Sequence, residues 1–141
     1  MSACLVLLLA LAAPAAAGAG PPLTNVNEYG SLSLEHSKGA TIDEHGRGSG
    51  TFDCSVYIQL TLSGTLVSAH YSAYPPGGSI VGLASAHIHT ATQKFAYFSG
   101  TITLDSGTGS YVHASGTASF QGTISRSTYA MSVRVAGRLR L

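Results

Sequence analysis

The sequence is poor in charged residues. Asp, Glu, Lys and Arg together make up 9% of the chain, and the formal net charge at pH 7 is +1. General electrostatic attraction to nucleic acids or anionic membranes depends on a large excess of positive charge. A nearly neutral chain of this kind lacks that excess. We therefore expect no nucleic-acid partner.

Cysteine is also scarce, with only Cys4 and Cys54 in the chain. If the N-terminal segment is removed on export, Cys54 alone stays, and no disulfide can form within the domain even in a compartment that permits one. We interpret Cys54 as a small buried apolar residue. An intermolecular disulfide or a reactive thiol is the alternative.

The N-terminal segment has the pattern of an export signal, although no Lys or Arg precedes its apolar run at residues 5–13. Small residues follow, and cleavage after Ala17 or Ala19 fits an Ala-x-Ala site. The run is too short for a comfortable membrane span. We predict a signal peptide over residues 1–19, one domain over residues 20–141 and a secreted protein. A buried helix is the alternative for the first segment.

Apolar and polar residues alternate through most of the remaining chain, and no stretch has an apolar pattern of helical period. From Gly50 to Ser63 every even position is apolar, and from Met131 to Leu141 nearly every odd position is apolar. A period of two indicates strands with one dry face. Similar alternation occurs in residues 31–35, 66–74, 79–90, 95–104 and 111–120, so we count seven clear strands. Residues 39–47 fit either an eighth strand or a loop.

Short Gly-rich or Pro-rich turns separate these strands, as at Ser63-Gly64-Thr65 and Pro75-Pro76-Gly77-Gly78. Short connections favour antiparallel neighbours. With no helix to cover the dry faces, the sheet must close on itself or pack as two layers. We predict an all-β fold, an antiparallel closed barrel of about eight strands, with a β-sandwich as the alternative. Small inward residues such as Gly82, Ala84 and Gly100 either permit curvature or leave room for a ligand.

One segment carries a family resemblance. We read Gly107-x-Gly109-x-Tyr111-x-x-Ala114-x-Gly116-x-x-x-Phe120-x-Gly122 as a tight turn followed by a strand whose inner face includes Val112 and Ala114. With the preceding Phe98-x-Gly100-Thr101, this pattern resembles the signature hairpin of the allene oxide cyclase/dirigent barrel group, and also small exported bacterial proteins with the same tail. The similarity covers residues 95–141.

The resemblance implies an eight-stranded antiparallel barrel with a central apolar cavity, frequent dimers or trimers, and no metal or organic cofactor. Plant members of the group cyclise an oxidised fatty acid or steer the coupling of phenoxy radicals. Their catalytic acids and asparagines have no counterparts that we can place on this chain, because the early strands do not align.

Histidines form the most suggestive metal-binding pattern. His87-x-His89 places two imidazoles on one strand face, as metal ligands often are. Alternation puts both on the outer face, together with His70 and His113. Pairing across the predicted turns leaves neither of the last two close enough to be a third ligand, so we predict no metal site.

Three further patterns bear on function. Asp43-Glu44-His45 can pair as a general acid and base, but we favour a solvated turn. No Gly-x-Ser-x-Gly elbow leads into a helix, which argues against a serine hydrolase. Arg134, Arg138 and Arg140 share the outer face of the last strand. They can bind an anionic polymer, pair with a partner subunit or stay solvated.

The function we expect is non-catalytic, either binding of a small apolar ligand or a structural or interaction role. A cofactor-free cyclase or isomerase and a surface or adhesion module are the alternatives, and a homo-oligomer is compatible with each. An inward acid beside Tyr71, His36 or Cys54 would favour the enzyme, whereas a filled interior would exclude ligand and enzyme alike. The predicted ligand-binding residues are Phe52, Cys54, Ile58, Tyr71, Phe98, Phe120 and Met131.

Overall fold

The computed structural model describes residues 20–141, which form a closed antiparallel barrel of eight strands. The strands are β1 (Leu23–Lys38), β2 (Thr41–Gly50), β3 (Cys54–Ser63), β4 (Leu66–Tyr74), β5 (Gly78–Ala91), β6 (Phe95–Gly109), β7 (Gly116–Ser125) and β8 (Met131–Arg140). Each strand pairs with the next one in sequence, and β8 pairs back with β1. The predicted closed barrel is confirmed, and the sandwich is excluded. The predicted signal segment lies outside the described residues.

The stretch that fitted either a strand or a loop is β2. It pairs with β1 on one side and with β3 on the other, so it is the eighth strand of the barrel. No helix in the described part of the chain is long and apolar enough to cross a membrane.

The predicted strand at residues 111–120 was wrong in its first half. β6 continues to Gly109 because it still pairs with β5 there, opposite Gly78. The chain then reverses through a six-residue connection, in which Val112 is 58% exposed and His113 is exposed. Ser119 of β7 therefore lies opposite Thr101. Gly107 and Gly109, which suggested a tight turn, instead allow the end of β6 to approach the start of β5 closely.

The inward side chains form two apolar clusters stacked along the barrel axis. We call the end with the β1–β2, β3–β4, β5–β6 and β7–β8 turns the open end, and the opposite end the closed end. The buried members of the cluster at the closed end are Val26, Ile80, Ile102, Leu104, Ala114, Ala118 and Leu139. The cluster nearer the open end is built around Leu32, Ile42, Cys54, Val56, Leu60, Ala73, Ala86, Phe98 and Met131. Burying each large apolar side chain contributes about 1.5–3 kcal/mol, which makes these clusters the main source of stability.

Inward glycines allow neighbouring strands to approach each other closely. A Cβ on Gly46 would overlap Ser31 O of β1, and a Cβ on Gly100 would overlap Ser85 O of β5. The curvature predicted for small inward residues is therefore seen at these positions. Other small inward residues, Gly30, Gly48 and Ala84, line an interior cavity.

Substitution at Gly100 tests this packing. We expect Gly100→Ala to lower the free energy of unfolding by about 2 kcal/mol or more, because the new methyl overlaps Ser85 O and lies 2.7 Å from Ala86 Cα. Gly30→Ala is the control, since its methyl meets only the flexible Leu32 Cδ1 at 3.3 Å. Urea unfolding of both variants measures the difference, and equal stabilities would contradict the proposed role of close strand approach.

Candidate functional site

The barrel encloses a cavity of about 620 Å³ that reaches the open end. Its wall is mostly apolar and comes from the inward positions of several strands, for example Ile58 of β3, Ala84 of β5 and Val133 of β8. At the open end it reaches the turns, where Arg126 and Tyr129 contribute to the rim. The interior is therefore neither filled nor polar, and an apolar molecule can be held there away from water.

Three polar side chains meet at the inner part of this cavity, towards the closed end. They are Glu28, Cys54 and Tyr71, and we call them the polar floor. The position that a Cβ on Gly48 would occupy lies 2.9 Å from Cys54 Sγ and 3.6 Å from Glu28 Oε2. Because Gly48 has no side chain, the thiol and the carboxyl can lie close together above it.

Glu28 is held by a backbone contact. Its Oε1 accepts a hydrogen bond from the backbone N–H of Phe52, which follows β2. Its Oε2 is buried and has no hydrogen-bond partner among residues 20–141. Burial raises the pKa of Glu28, the Phe52 N–H bond acts in the opposite direction, and the charge of nearby Asp53 adds to the rise. The carboxyl group thus has one fixed oxygen and one that is free to bind or exchange a proton.

The other two groups of the polar floor are neutral hydrogen-bonding groups. Burial raises the pKa of the Cys54 thiol, and the neighbouring Glu28 carboxyl raises it further. Burial also raises the pKa of Tyr71, and Cys54 and Glu28 contribute to that rise. Cys54 is only 5% exposed. A buried thiol with a raised pKa is a poor nucleophile, so the structure favours the interpretation of Cys54 as a buried residue over that of a reactive thiol.

A second acid, Glu44, is also inside the barrel. It is 1% exposed, and neither of its carboxyl oxygens has a partner within the described chain. On the neighbouring strands it faces Leu34 and Ile58, both apolar. Burial raises the pKa of Glu44 to about 7. An acid buried without a partner is unusual, because the charged form is costly in such a place.

Asp43, Glu44 and His45 form neither the solvated turn that we favoured nor a single acid–base group, because all three lie in strand β2. Alternation along β2 turns Glu44 inward and the other two outward. Asp43 Oδ1 accepts a hydrogen bond from Gln59 Nε2 at 2.9 Å, and His45 stacks on Tyr57 with ring centroids 5.9 Å apart. The neighbours in sequence are therefore separated by the wall of the barrel.

Six of the predicted ligand-binding residues line the cavity, namely Cys54, Ile58, Tyr71, Phe98, Phe120 and Met131. Phe52 does not line it. Its ring packs edge-on against Tyr111 with centroids 6.0 Å apart, towards the closed end. That any of these residues binds a ligand stays a prediction. His36 is exposed on β1 and takes no part in the polar floor.

The outward positions of His87 and His89 agree with the alternation of β5, since both are exposed. His89 Nδ1 lies 3.4 Å from Thr90 Oγ1. In residues 20–141, no three His, Cys, Asp or Glu side chains are grouped so that they could hold a metal ion.

Sequence reasoning missed the two inward acids. The signal for Glu28 is its even spacing from Val26 and Leu32, which are both buried. The signal for Glu44 is its spacing of two from Ile42, also buried. Extending the period of two across these polar residues would have placed both carboxyl groups inside.

Comparison of the chain with protein-family models, with curated proteins and with solved structures finds no match. The resemblance to the allene oxide cyclase/dirigent group therefore stays a prediction. The geometry of the cavity and its polar floor carries the functional argument.

The buried Glu44 predicts a stability that depends on pH. The folded state holds the proton more tightly than the unfolded state, so stability is fully present below about pH 4.5. It falls as the pH rises, and the loss is complete once the pH exceeds about 7. We expect a loss of roughly 2–3 kcal/mol over this interval, measured by urea unfolding at several pH values.

Glu44→Gln keeps the shape of the side chain and removes its titration, so the fall between pH 4.5 and 7 becomes smaller. Glu35→Gln is the matched control, because Glu35 is exposed on the outer wall and forms only a 3.9 Å contact with His45. An unchanged pH profile in Glu44→Gln would show that Glu44 is not a source of the dependence.

Proposed function

We propose that the barrel binds a small, mainly apolar molecule that carries one uncharged polar group. The observation that supports this is a cavity of about 620 Å³ with an apolar wall and three polar side chains at one place. Small-molecule sites in proteins are typically of this size, with a few polar groups that set the orientation of the ligand.

The charges around the cavity indicate how the ligand would lie. The polar floor disfavours a ligand carboxylate, because burying a charged group with no cation beside it is costly. Arg126 is at the open end, where its guanidinium donates to Thr92 O at 2.9 Å. A hydroxyl, carbonyl or epoxide oxygen therefore suits the polar floor, and an acidic group suits the rim.

The cavity can be tested with a neutral fluorescent compound, N-phenyl-1-naphthylamine, whose emission rises on transfer from water. We expect the wild-type protein to bind it. Ala84→Trp fills part of the cavity and should weaken binding by about tenfold or more. Ser85→Trp is the matched control, because Ser85 is the next residue of β5 and faces outward.

Ala69→Phe is a second filling variant on β4, to be used if Ala84→Trp does not fold as judged by circular dichroism. No binding to the wild-type protein, or equal loss in the filling and outward variants, would rule out the interior as the site.

A cofactor-free isomerase or cyclase is the second candidate, and the polar floor favours it. An inward acid beside Tyr71 and Cys54 is the arrangement expected of an enzyme. Glu28 Oε2, which has no partner among the described residues, can take a proton from a bound molecule or give one to it. Tyr71, kept protonated by its raised pKa, can donate a hydrogen bond to an oxygen on which negative charge develops.

Glu28→Gln separates the two candidates. If the protein is an isomerase, the variant should still bind the fluorescent compound, but turnover of an unsaturated fatty-acid epoxide should fall by about 100-fold or more. Chiral chromatography of the products measures enzyme-directed turnover against the spontaneous reaction. Glu35→Gln, on the outer wall, should leave turnover unchanged. A wild-type protein that binds the compound but gives only the spontaneous products would reject the enzyme and leave the binding function.

A further inference from the structure

The outer wall of the barrel carries a second depression, with a volume of about 570 Å³. It crosses five neighbouring strands, from β1 through β8, β7 and β6 to β5. We call it the outer groove, and its outward-facing side chains are Tyr29, His89, Tyr97, Gln121, Thr123, Ser132 and Arg134. Its lining also includes Gly30, Phe98, Gly122 and Val133, and three of these, Gly30, Phe98 and Val133, line the interior cavity as well.

The register of the strands places these residues in two adjacent rows. Tyr29, Arg134 and Gln121 lie opposite one another across β1, β8 and β7. Ser132, Thr123 and Tyr97 do the same across β8, β7 and β6. Tyr29 and Tyr97 are three strand spacings apart, about 14 Å across the strands, and are offset by one row along them; the residues between them are small or polar. The groove thus has one aromatic side chain on β1, another on β6 and a hydrogen-bonding floor between them.

Much of the hydrogen-bonding capacity in the groove is unused. Within residues 20–141, its side chains form only two long hydrogen bonds, from Arg134 Nε to Asn27 Oδ1 and between His89 and Thr90, each 3.4 Å. The Gln121 amide and the hydroxyls of Thr123 and Ser132 are available to a ligand. A surface that offers several donors and acceptors at fixed spacing suits a molecule with many hydroxyl groups.

The groove contains one cation and no carboxylate. Arg134 is held in place by Tyr29, since its guanidinium carbon lies 5.4 Å from the centre of that ring. Its terminal nitrogens form no ion pair within the described chain, where the single charged contact is that between His45 and Glu35. A positioned guanidinium is the group that binds a carboxylate with two parallel hydrogen bonds.

We propose that the outer groove binds an acidic oligosaccharide of the uronate type. The carboxylate of one sugar pairs with Arg134, the ring face of a sugar farther along the oligosaccharide packs on Tyr97, and the sugar hydroxyls bond to Gln121, Thr123 and Ser132. The aromatic ring, the polar floor and the single cation each match one part of such a ligand. The proposal does not depend on the function of the interior.

The low charge of the protein favours this ligand over a nucleic acid. Nucleic-acid binding gains most of its affinity from several lysines or arginines that neutralise phosphates. The outer groove has one arginine, and the whole chain has a net charge of +1. A sugar acid requires only one cation when an aromatic ring and several hydroxyl partners share the binding.

The test is isothermal titration calorimetry of the protein with a galacturonate hexamer. We expect binding by the wild-type protein, weakened by about tenfold or more in Arg134→Ala and also in Tyr97→Ala, the loss typical of a charge-assisted contact. A neutral glucose hexamer should bind more weakly than the galacturonate hexamer, because it lacks the carboxylate.

Two matched controls separate the groove from general surface effects. Arg138→Ala removes the same charge from the same face of β8, but outside the groove, and Tyr74→Ala removes a tyrosine that is 52% exposed on β4. Both should bind the hexamer within about twofold of the wild-type protein. All four positions are exposed, so circular dichroism should show folded variants.

Four results would overturn the proposal. They are no binding of the hexamer, equal loss in Arg134→Ala and Arg138→Ala, equal or tighter binding of a hexameric single-stranded DNA, and self-association of the protein that Tyr97→Ala abolishes. The second would show a diffuse charge effect. The third would show a preference for phosphate, and the fourth would show that the groove is an interface between copies of the chain.

Discussion

Closure of the sheet is the constraint on which the rest of this structure depends. Because β8 pairs with β1, all eight strands have a neighbour on both sides, and the inward side chains face an enclosed interior. In an open sheet the same alternation would only divide a wet face from a dry one. In the closed sheet it separates an interior cavity from an outer groove, and two adjacent residues can belong to different sites.

This separation explains why the inward acids are informative. A carboxyl group on the outer wall costs nothing to ionise, and its presence says little about function. A carboxyl group inside must stay protonated, find a donor or accept a high cost. Glu28 finds one donor in Phe52 N–H and its second oxygen has no partner among the described residues, whereas Glu44 finds no donor for either oxygen. We propose a ligand-contacting role for the first and expect the second to make the stability of the fold depend on pH.

The fold was predictable because it follows from features of short sequence stretches, namely the alternation within each strand and the turns between strands. A period of two identifies β3 from five successive inward apolar residues, and short turns then favour antiparallel pairing. Cys54 and Tyr71 could be placed in the interior by the same rule. β2 was ambiguous because three of its five inward positions, Gly46, Gly48 and Gly50, have no side chain to mark a face. The outer groove could not be predicted, because it requires the register of strands that are far apart in sequence, such as Tyr29 on β1 and Tyr97 on β6.

Under the proposed binding function, the difference between the two ends of the barrel has a consequence for selectivity. A molecule that enters past Arg126 and Tyr129 must travel inward with one end leading, because the apolar cluster at the closed end blocks the other side of the barrel. The leading end stops at Glu28, where a mismatched group is left without hydrogen bonds in a dry environment. The trailing end stays at a rim made of turns, where extra length can extend into water. Such a barrel would discriminate strictly between head groups and only weakly between chain lengths.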